Sequence, residues 1–308
     1  MKVVVLAGGV GGAKMVNGLA QHIAPENLFI IANTADDFEH LGLHISPDLD
    51  TLMYTLAGLN NPQTGWGREG ESWQTLTALA ELGGPTWFKL GDKDLATHLL
   101  RTQWKRNGYP LSWITAQFCR RLRIGPKLVP MTDSPVRTII HTEQGKLPFQ
   151  EYFVRQQSQP IVQKIEFQGA DTAESNRDIF NAIRMADLIV FAPSNPLLSL
   201  DPILALPGMR RILGAAPSKK IAVSPIIGGQ AVKGPAAKIM GELGMEVSPF
   251  GVAHYLKDLL TGFVFDRADK IHQERIAGLG LHTLTTNTLM KSVEDQARLA
   301  KELLAFSH

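Results

Sequence analysis

An α/β protein is predicted, built on a Rossmann-like, doubly wound and mostly parallel sheet that carries a largely helical insertion. Three observations predict it. Short apolar runs such as Val3-Val4-Val5-Leu6 lack polar alternation, as strands covered on both faces do. Helical stretches fall between these runs, which implies βαβ units with right-handed crossovers. The first run leads straight into a glycine-rich turn that opens a helix, where sheets of this kind bind ligands.

Strands are expected at residues 3–6, 28–32, 86–90, 136–142, 161–167, 188–192, 220–225 and 263–265. Helices are expected at 13–22, 175–186 and 231–243 between them. Ser292 and Asp295 form a capping-box pattern opening a last helix, with Val293, Ala297, Ala300 and Leu304 on one face. From Asp50 to Arg123 the pattern is largely helical, with 86–90 as its one strand. Pro126, Pro130 and Pro135 mark a boundary region, and 136–142 with 149–154 read as a hairpin about Gln144-Gly145. The organisation expected is a nucleotide-binding core from 1–60 and 170–308, with 61–169 inserted as a helical and hairpin cover.

Composition narrows the function. Hydrophobic residues make up 44% of the 308 and charged residues 19%, so a packed globular protein is expected. A formal charge of +2, from 31 basic and 29 acidic residues, argues against a broad nucleic-acid-binding face. The lone Cys119 excludes an intrachain disulfide or a CxxC zinc site and reads as a buried, inert thiol. No apolar stretch approaches the ~20 residues of a membrane span, and the first run has neither the length nor the cleavage site of a signal peptide. A soluble, cytoplasmic protein is expected.

The turn Gly8-Gly9-Val10-Gly11-Gly12-Ala13-Lys14 reads as a phosphate cradle. Its glycines bring backbone N–H groups close to phosphate oxygens, the helix start adds partial positive charge, and Lys14 adds a full one. It is not a Walker A loop, because Met15 stands where a Ser or Thr would hold magnesium. Nor is it a dinucleotide fingerprint, since Lys14 replaces the third glycine and Asn33 replaces the ribose-binding acid. Downstream, Asn33-Thr34-Ala35-Asp36-Asp37 and Asp48-Leu49-Asp50 lie beside this turn at the carboxyl edge of the sheet. Their carboxylates suit a hard cation; equally, Asp48 or Asp50 suits a helix N-cap. His40 and His44 are four apart, but Gly42 and Pro47 favour a loop over a zinc-binding helix. No nucleophile motif is present, which favours transfer chemistry by positioning and charge neutralisation.

Several segments together resemble the 2-phospho-L-lactate transferase family (CofD), which makes a deazaflavin coenzyme. They are the glycine turn, Asn33 to Asp37, Ser46-Pro47-Asp48-Leu49-Asp50-Thr51-Leu52-Met53-Tyr54, Gly65-Trp66-Gly67, Trp87 to Asp92 running on to Asp94 and His98, Phe149-Gln150-Glu151, Pro193-Ser194-Asn195-Pro196 and Ser224 to Gly229. The resemblance spans residue 1 to about 270. It implies a magnesium-dependent transfer of a phospholactyl or phosphoenolpyruvyl group from a guanosine diphosphate ester (lactyl-2-diphospho-5'-guanosine or its enolpyruvate counterpart). The acceptor is FO, 7,8-didemethyl-8-hydroxy-5-deazariboflavin, whose ribityl hydroxyl attacks while GMP leaves. By that resemblance Asp50 and Lys89 contact FO, with Asp50 orienting or deprotonating the hydroxyl, and Asp36 with Asp50 hold Mg2+. Asp37 and Asp48 are equally placed by chemistry.

The remaining matched segments are assigned around this site. Gly9, Val10, Gly11, Gly12, Lys14, Asn33 and Thr34 are expected at the nucleotide, with Ser194 and Asn195 from the turn after the 188–192 strand. Trp87 and Phe88 are expected to wall the FO ring. Gly228 and Gly229 read either as a second anion cradle or as a plain turn before a helix. His98 reads as structural, and Arg120-Arg121-Leu122-Arg123 as a solvated face. A homodimer is compatible with such enzymes. The rival function is a non-catalytic nucleotide-sugar-binding regulator with a related core, which would need no acceptor-side Asp50 or Trp87 to Asp92.

Overall fold

The computed structural model describes residues 1–307. Its centre is a seven-stranded sheet of β1 (Val3–Ala7), β2 (Leu28–Ala32), β3 (Lys127–Pro130), β4 (Leu188–Phe191), β5 (Lys219–Val223), β6 (Gly262–Asp266) and β7 (His282–Thr286). The spatial order is β7-β6-β5-β4-β1-β2-β3, and every pairing is parallel. The chain winds outward from β1 through β2 and β3, then returns to β4 on the other side. The strand order therefore reverses between β1 and β4, and ligands of doubly wound sheets bind at that point.

Both sheet faces are covered, which explains the unbroken apolar strands. Val3, Val5 and Ala7 point into a core under α1 (Gly9–Ala20) and the helix Val293–Phe306; Val4 and Leu6 point into a second core on the opposite face. The last helix carries the expected Ser292–Asp295 capping box. Its buried stripe is Gln296, Leu299, Ala300 and Leu303, so of the four apolar positions expected to share a face only Ala300 is buried, and Val293 is exposed.

Several elements differ from expectation. Residues 86–90 form no strand; they bend across the mouth of a cleft. Strands β3 and β7 join the main sheet unforeseen, and β3 does so from inside the 61–169 stretch. The rest of that stretch holds α3 (Gln74–Glu81), α4 (Asp92–Arg106), α5 (Leu111–Arg121) and a three-stranded antiparallel sheet. Arg137–Thr142 pairs there with Gly145–Pro148, not with 149–154, because Glu151–Arg155 coils into a π-helical turn. Between β2 and α2 (Pro47–Leu56) the segment read as a loop contains the hairpin Phe38–His40 and Leu43–Ile45. Among the described residues no helix is long and apolar enough to cross a membrane.

Candidate functional site

At the switch point lies a cleft of about 730 Å3. Gly8 is the N-cap of α1, and Gly9, Val10, Gly11 and Lys14 line the cleft wall. The turn is pinned from β4: the Ser194 hydroxyl donates to the Gly8 carbonyl (2.8 Å) and accepts from the Gly8 N–H (3.2 Å). A Cβ on Gly11 would stand 2.3 Å from the Pro193 carbonyl oxygen, and one on Gly8 would stand 2.5 Å from Asp48 Oδ2. The glycines are thus required by close approach, and with the Gly9 N–H turned to Asp48 the N–H groups of Val10 and Gly11 are left for an anion. Gly12 is buried against Ser194 and does not reach the cleft wall. Asn195 lines the cleft while its side-chain oxygen accepts from the N–H groups of Leu197 (3.0 Å) and Leu198 (3.3 Å).

The acidic segment divides into two groups. In the first, the Asn33 amide donates to Asp36 Oδ2 and Asp48 Oδ2, both at 3.0 Å, beside the glycine turn. Asn33 therefore sets the carboxylates and does not line the cleft; Thr34 is buried and does not line it either. Burial, then the Asp48 charge, pushes the Asp36 carboxyl well above the usual range, and burial pushes Asp48 up to about 6 against the Asn33 and Gly9 hydrogen bonds. The buried Asp36 Oδ1 has no hydrogen-bond partner. Two crowded carboxylates with an unsatisfied oxygen fit a hard divalent cation, which would favour their charged forms. Asp37 is turned away, accepting from Ser46 (2.7 Å) and lying 3.1 Å from His44 Nε2.

In the second group Asp50 is held from both sides. Arg101, 1% exposed on α4, donates to both of its carboxylate oxygens, at 2.9 Å to Oδ2 and closely to Oδ1. Burial works against the Arg101 charge, but Asp50 more than offsets it and holds the guanidinium above its ordinary pKa. Arg101 also lies 3.2 Å from His98 Nδ1, and His98 Nε2 lies 3.3 Å from Asp94. Asp94 in turn accepts from the Tyr54 hydroxyl at 2.6 Å. Asp50, Asp94 and His98 offer ligand atoms within 4.8 Å of one another, although Asp50 already has Arg101 on both of its oxygens. Asp36 is joined to Asp48, while Asp50 belongs to this separate network. Asp48 and Asp50 lie in the first turn of α2, whose N-cap position is Ser46, so neither is the cap.

The acceptor-side residues share the same cleft. Trp87 and Phe88 line it and pack edge to face (5.7 Å, 70°), braced by Phe38 and His40 from the hairpin; Lys89 follows at the rim. Two further aromatic rings join this wall, Phe149 from a matched segment and Phe153 without a signal. Phe149, just before the π-helical turn, stacks at 5.4 Å on Phe153 within it, and both line the cleft. Lys233 and Arg101 carried no motif signal, Tyr54 stood in a matched segment without an assigned role, and His98 proves to belong to the site network. Gly228 and Gly229 are the turn of a two-residue hairpin, at φ +57° and +73°, with the Gly228 N–H donated to Asp269; they form no second cradle. His40 and His44 lie on the hairpin strands and do not form a zinc pair. Cys119 is buried, which pushes its thiol up to about 12, as an inert thiol requires. Arg120, Arg121 and Arg123 are not among the cleft walls.

Comparison with known proteins gives a consistent result. Residues 3–292 match the family model described as 2-phospho-L-lactate transferase CofD. The chain is 41% identical to a phosphoenolpyruvate transferase of Kitasatospora aureofaciens, covering 100% of this chain and 98% of the relative. It is 37% identical to a 2-phospho-L-lactate transferase of Methanosarcina mazei, covering 97% and 98%. A crystal structure of a UPF0052-family protein from Bacillus halodurans superposes with a TM-score of 0.64 at 15% identity over 98% of both chains, a likeness of fold.

Proposed function

Because this chain belongs to the CofD family of transferases, we propose that it transfers a phospholactyl or phosphoenolpyruvyl group from a guanosine diphosphate ester to FO. The observation that carries this reading is the sharing of one cleft by the glycine turn with Lys14 and by Trp87, Phe88, Lys89 and Asp50. A nucleotide-binding regulator has no use for the second half.

In this reading the donor diphosphate lies on the N–H groups of Val10 and Gly11 beside Lys14. The 61–169 stretch supplies the aromatic acceptor wall. The FO ring lies between Trp87-Phe88 and the Phe149–Phe153 stack, with its ribityl hydroxyl directed toward the donor. That hydroxyl attacks the phosphorus bearing the organic acid, the bridging P–O bond breaks, GMP leaves with the bond's electrons, and the hydroxyl proton passes to solvent. Asp50, engaged by Arg101 through both oxygens, orients the hydroxyl. Asp36 and Asp48 would hold Mg2+, which when bound offsets phosphate charge in the transition state. The two acids named for the relatives make both donors substrates to test, and such a reaction belongs in the cytoplasm.

The test is to incubate the protein with FO, Mg2+ and each guanosine diphosphate ester, following FO by its fluorescence on a separating column. A phosphorylated deazaflavin and stoichiometric GMP are expected, and Asp50→Ala should abolish both while the protein stays folded. Absence of FO binding with and without Mg2+ and GDP refutes the transferase reading; near-normal turnover by Asp50→Ala removes that residue from it.

A further inference from the structure

Beside Lys14 and Lys89 the cleft holds a third cation, which no motif singled out. Lys233 lies in the loop between the strand Gln230–Ala231 and the helix Ala236–Glu242, and it lines the cleft with Lys14, Val10 and Gly65. Among the described residues neither lysine has a carboxylate within ion-pair distance. Lys14 Nζ donates to the Met290 carbonyl at 2.8 Å, and Lys233 Nζ donates to the Thr64 carbonyl at short range. Burial, then the Lys14 charge, lowers the Lys233 pKa. Two ammonium groups that feel one another beside a helix start, with only peptide oxygens as partners, suit a multivalent anion.

The Thr64 contact has a second effect. Residues 61–67 close on themselves through Asn61 N–H to Gly67 O (3.1 Å) and Gly65 N–H to Asn61 O (2.9 Å). Gly65 sits at φ +75°, and a Cβ there would stand 2.7 Å from Val10 Cγ1 and 3.1 Å from Lys233 Nζ. The loop therefore rests directly on the glycine turn, and its side-chain tie to the 228–235 segment is Lys233.

We propose that Lys233 is a second ligand for the donor's diphosphate, and that it reaches the phosphate by releasing Thr64, so that donor binding unlatches the 61–67 loop from the glycine turn. Phosphate sets a full negative charge against the Lys233 ammonium where the Thr64 carbonyl offers only a dipole, which favours this exchange. The loop also carries Trp66 along the cleft wall. The inference rests on reading the cleft as a guanosine diphosphate ester site.

The experiment titrates wild type, Lys233→Met and Lys233→Arg with GDP and Mg2+ by calorimetry, and follows amide hydrogen exchange across 61–67 with and without GDP. Lys233→Met should weaken GDP by about 10- to 100-fold, and Lys233→Arg should stay within a few-fold of wild type. In wild type GDP should speed exchange at 61–67; in Lys233→Met exchange should be fast at the outset and unchanged by GDP. Equal GDP affinity in wild type and Lys233→Met overturns the phosphate role, and exchange in wild type that GDP leaves unchanged or slows overturns the latch. Failure of wild type to bind GDP refutes instead the donor-site reading beneath it.

Discussion

Replacing Arg101 by methionine tests whether the buried network around Asp50 is an ion pair that the fold depends on. The two residues are 1% and 5% exposed, and Arg101 is bonded to both oxygens of Asp50. Methionine keeps a hydrocarbon stem where the guanidinium lies over Phe118 at 5.8 Å, so the main loss is electrostatic. Removing one partner of a buried pair strands the other charge and costs about 3–5 kcal/mol. Unfolding entropy near 2.1 cal/mol/K per residue, taken over the 308 residues, makes each kcal/mol worth about 1.5 °C. The expected fall in melting temperature is therefore roughly 5–8 °C, read by scanning calorimetry at pH 7.5. The pair is buried, so added salt should not reproduce the effect in wild type. The double variant Asp50→Asn/Arg101→Met leaves no stranded charge and should recover at least half of the loss. An Arg101→Met protein melting within about 1 °C of wild type, or a double variant that loses the sum of both singles, refutes the reasoning.

Two further predictions follow from close contacts and burial. Gly11→Ala places a methyl 2.3 Å from the Pro193 carbonyl, so the turn must open; the Kd for GDP should rise at least tenfold, and an unchanged Kd would show that this turn does not hold phosphate. Burial, acting against the Tyr255 hydroxyl and Arg210, carries Asp201 from its ordinary 3.8 up to about 6. The folded state then binds more protons than the unfolded between about pH 4 and 6, so this group lowers stability as pH rises through that window. Asp201→Asn should gain on wild type across the same window, by about 1–3 kcal/mol at pH 7 in urea unfolding, and a difference that stays flat from pH 4 to 7 would count against it.

What was legible in the sequence was what local chemistry dictates. Strands buried on both faces must be apolar throughout, so β1, β2 and β4 stood out, and the tight passage beneath Pro193 and Asp48 leaves glycine as the residue that fits at positions 8 and 11. The weaker signals had particular causes. β3 contains Pro130 and begins at exposed Lys127, as a sheet edge permits, and β7 is rich in threonine. The 38–45 hairpin turns through Leu41 at φ +53°, a residue type that seldom marks such a turn. Residues 86–90 had a strand's composition, yet their aromatic rings face a cleft. The Asp50–Arg101 pair joins residues 51 apart, and an arginine on a polar helix gives no sign of being buried.

The bond between Gly8 and Ser194 spans 186 residues, and β1 meets β4 with Val3 opposite Leu188. During synthesis at about 5–20 residues per second, β1 would wait on the order of 10–40 s for that neighbour. Throughout that interval one edge of an entirely apolar strand has no mate and can pair with a strand of another chain. An N-terminal fragment ending before residue 188 would accordingly carry the glycine turn without the hydroxyl that fixes it. Such a fragment should aggregate and bind no nucleotide, and high-level expression should benefit from slower translation or added chaperone.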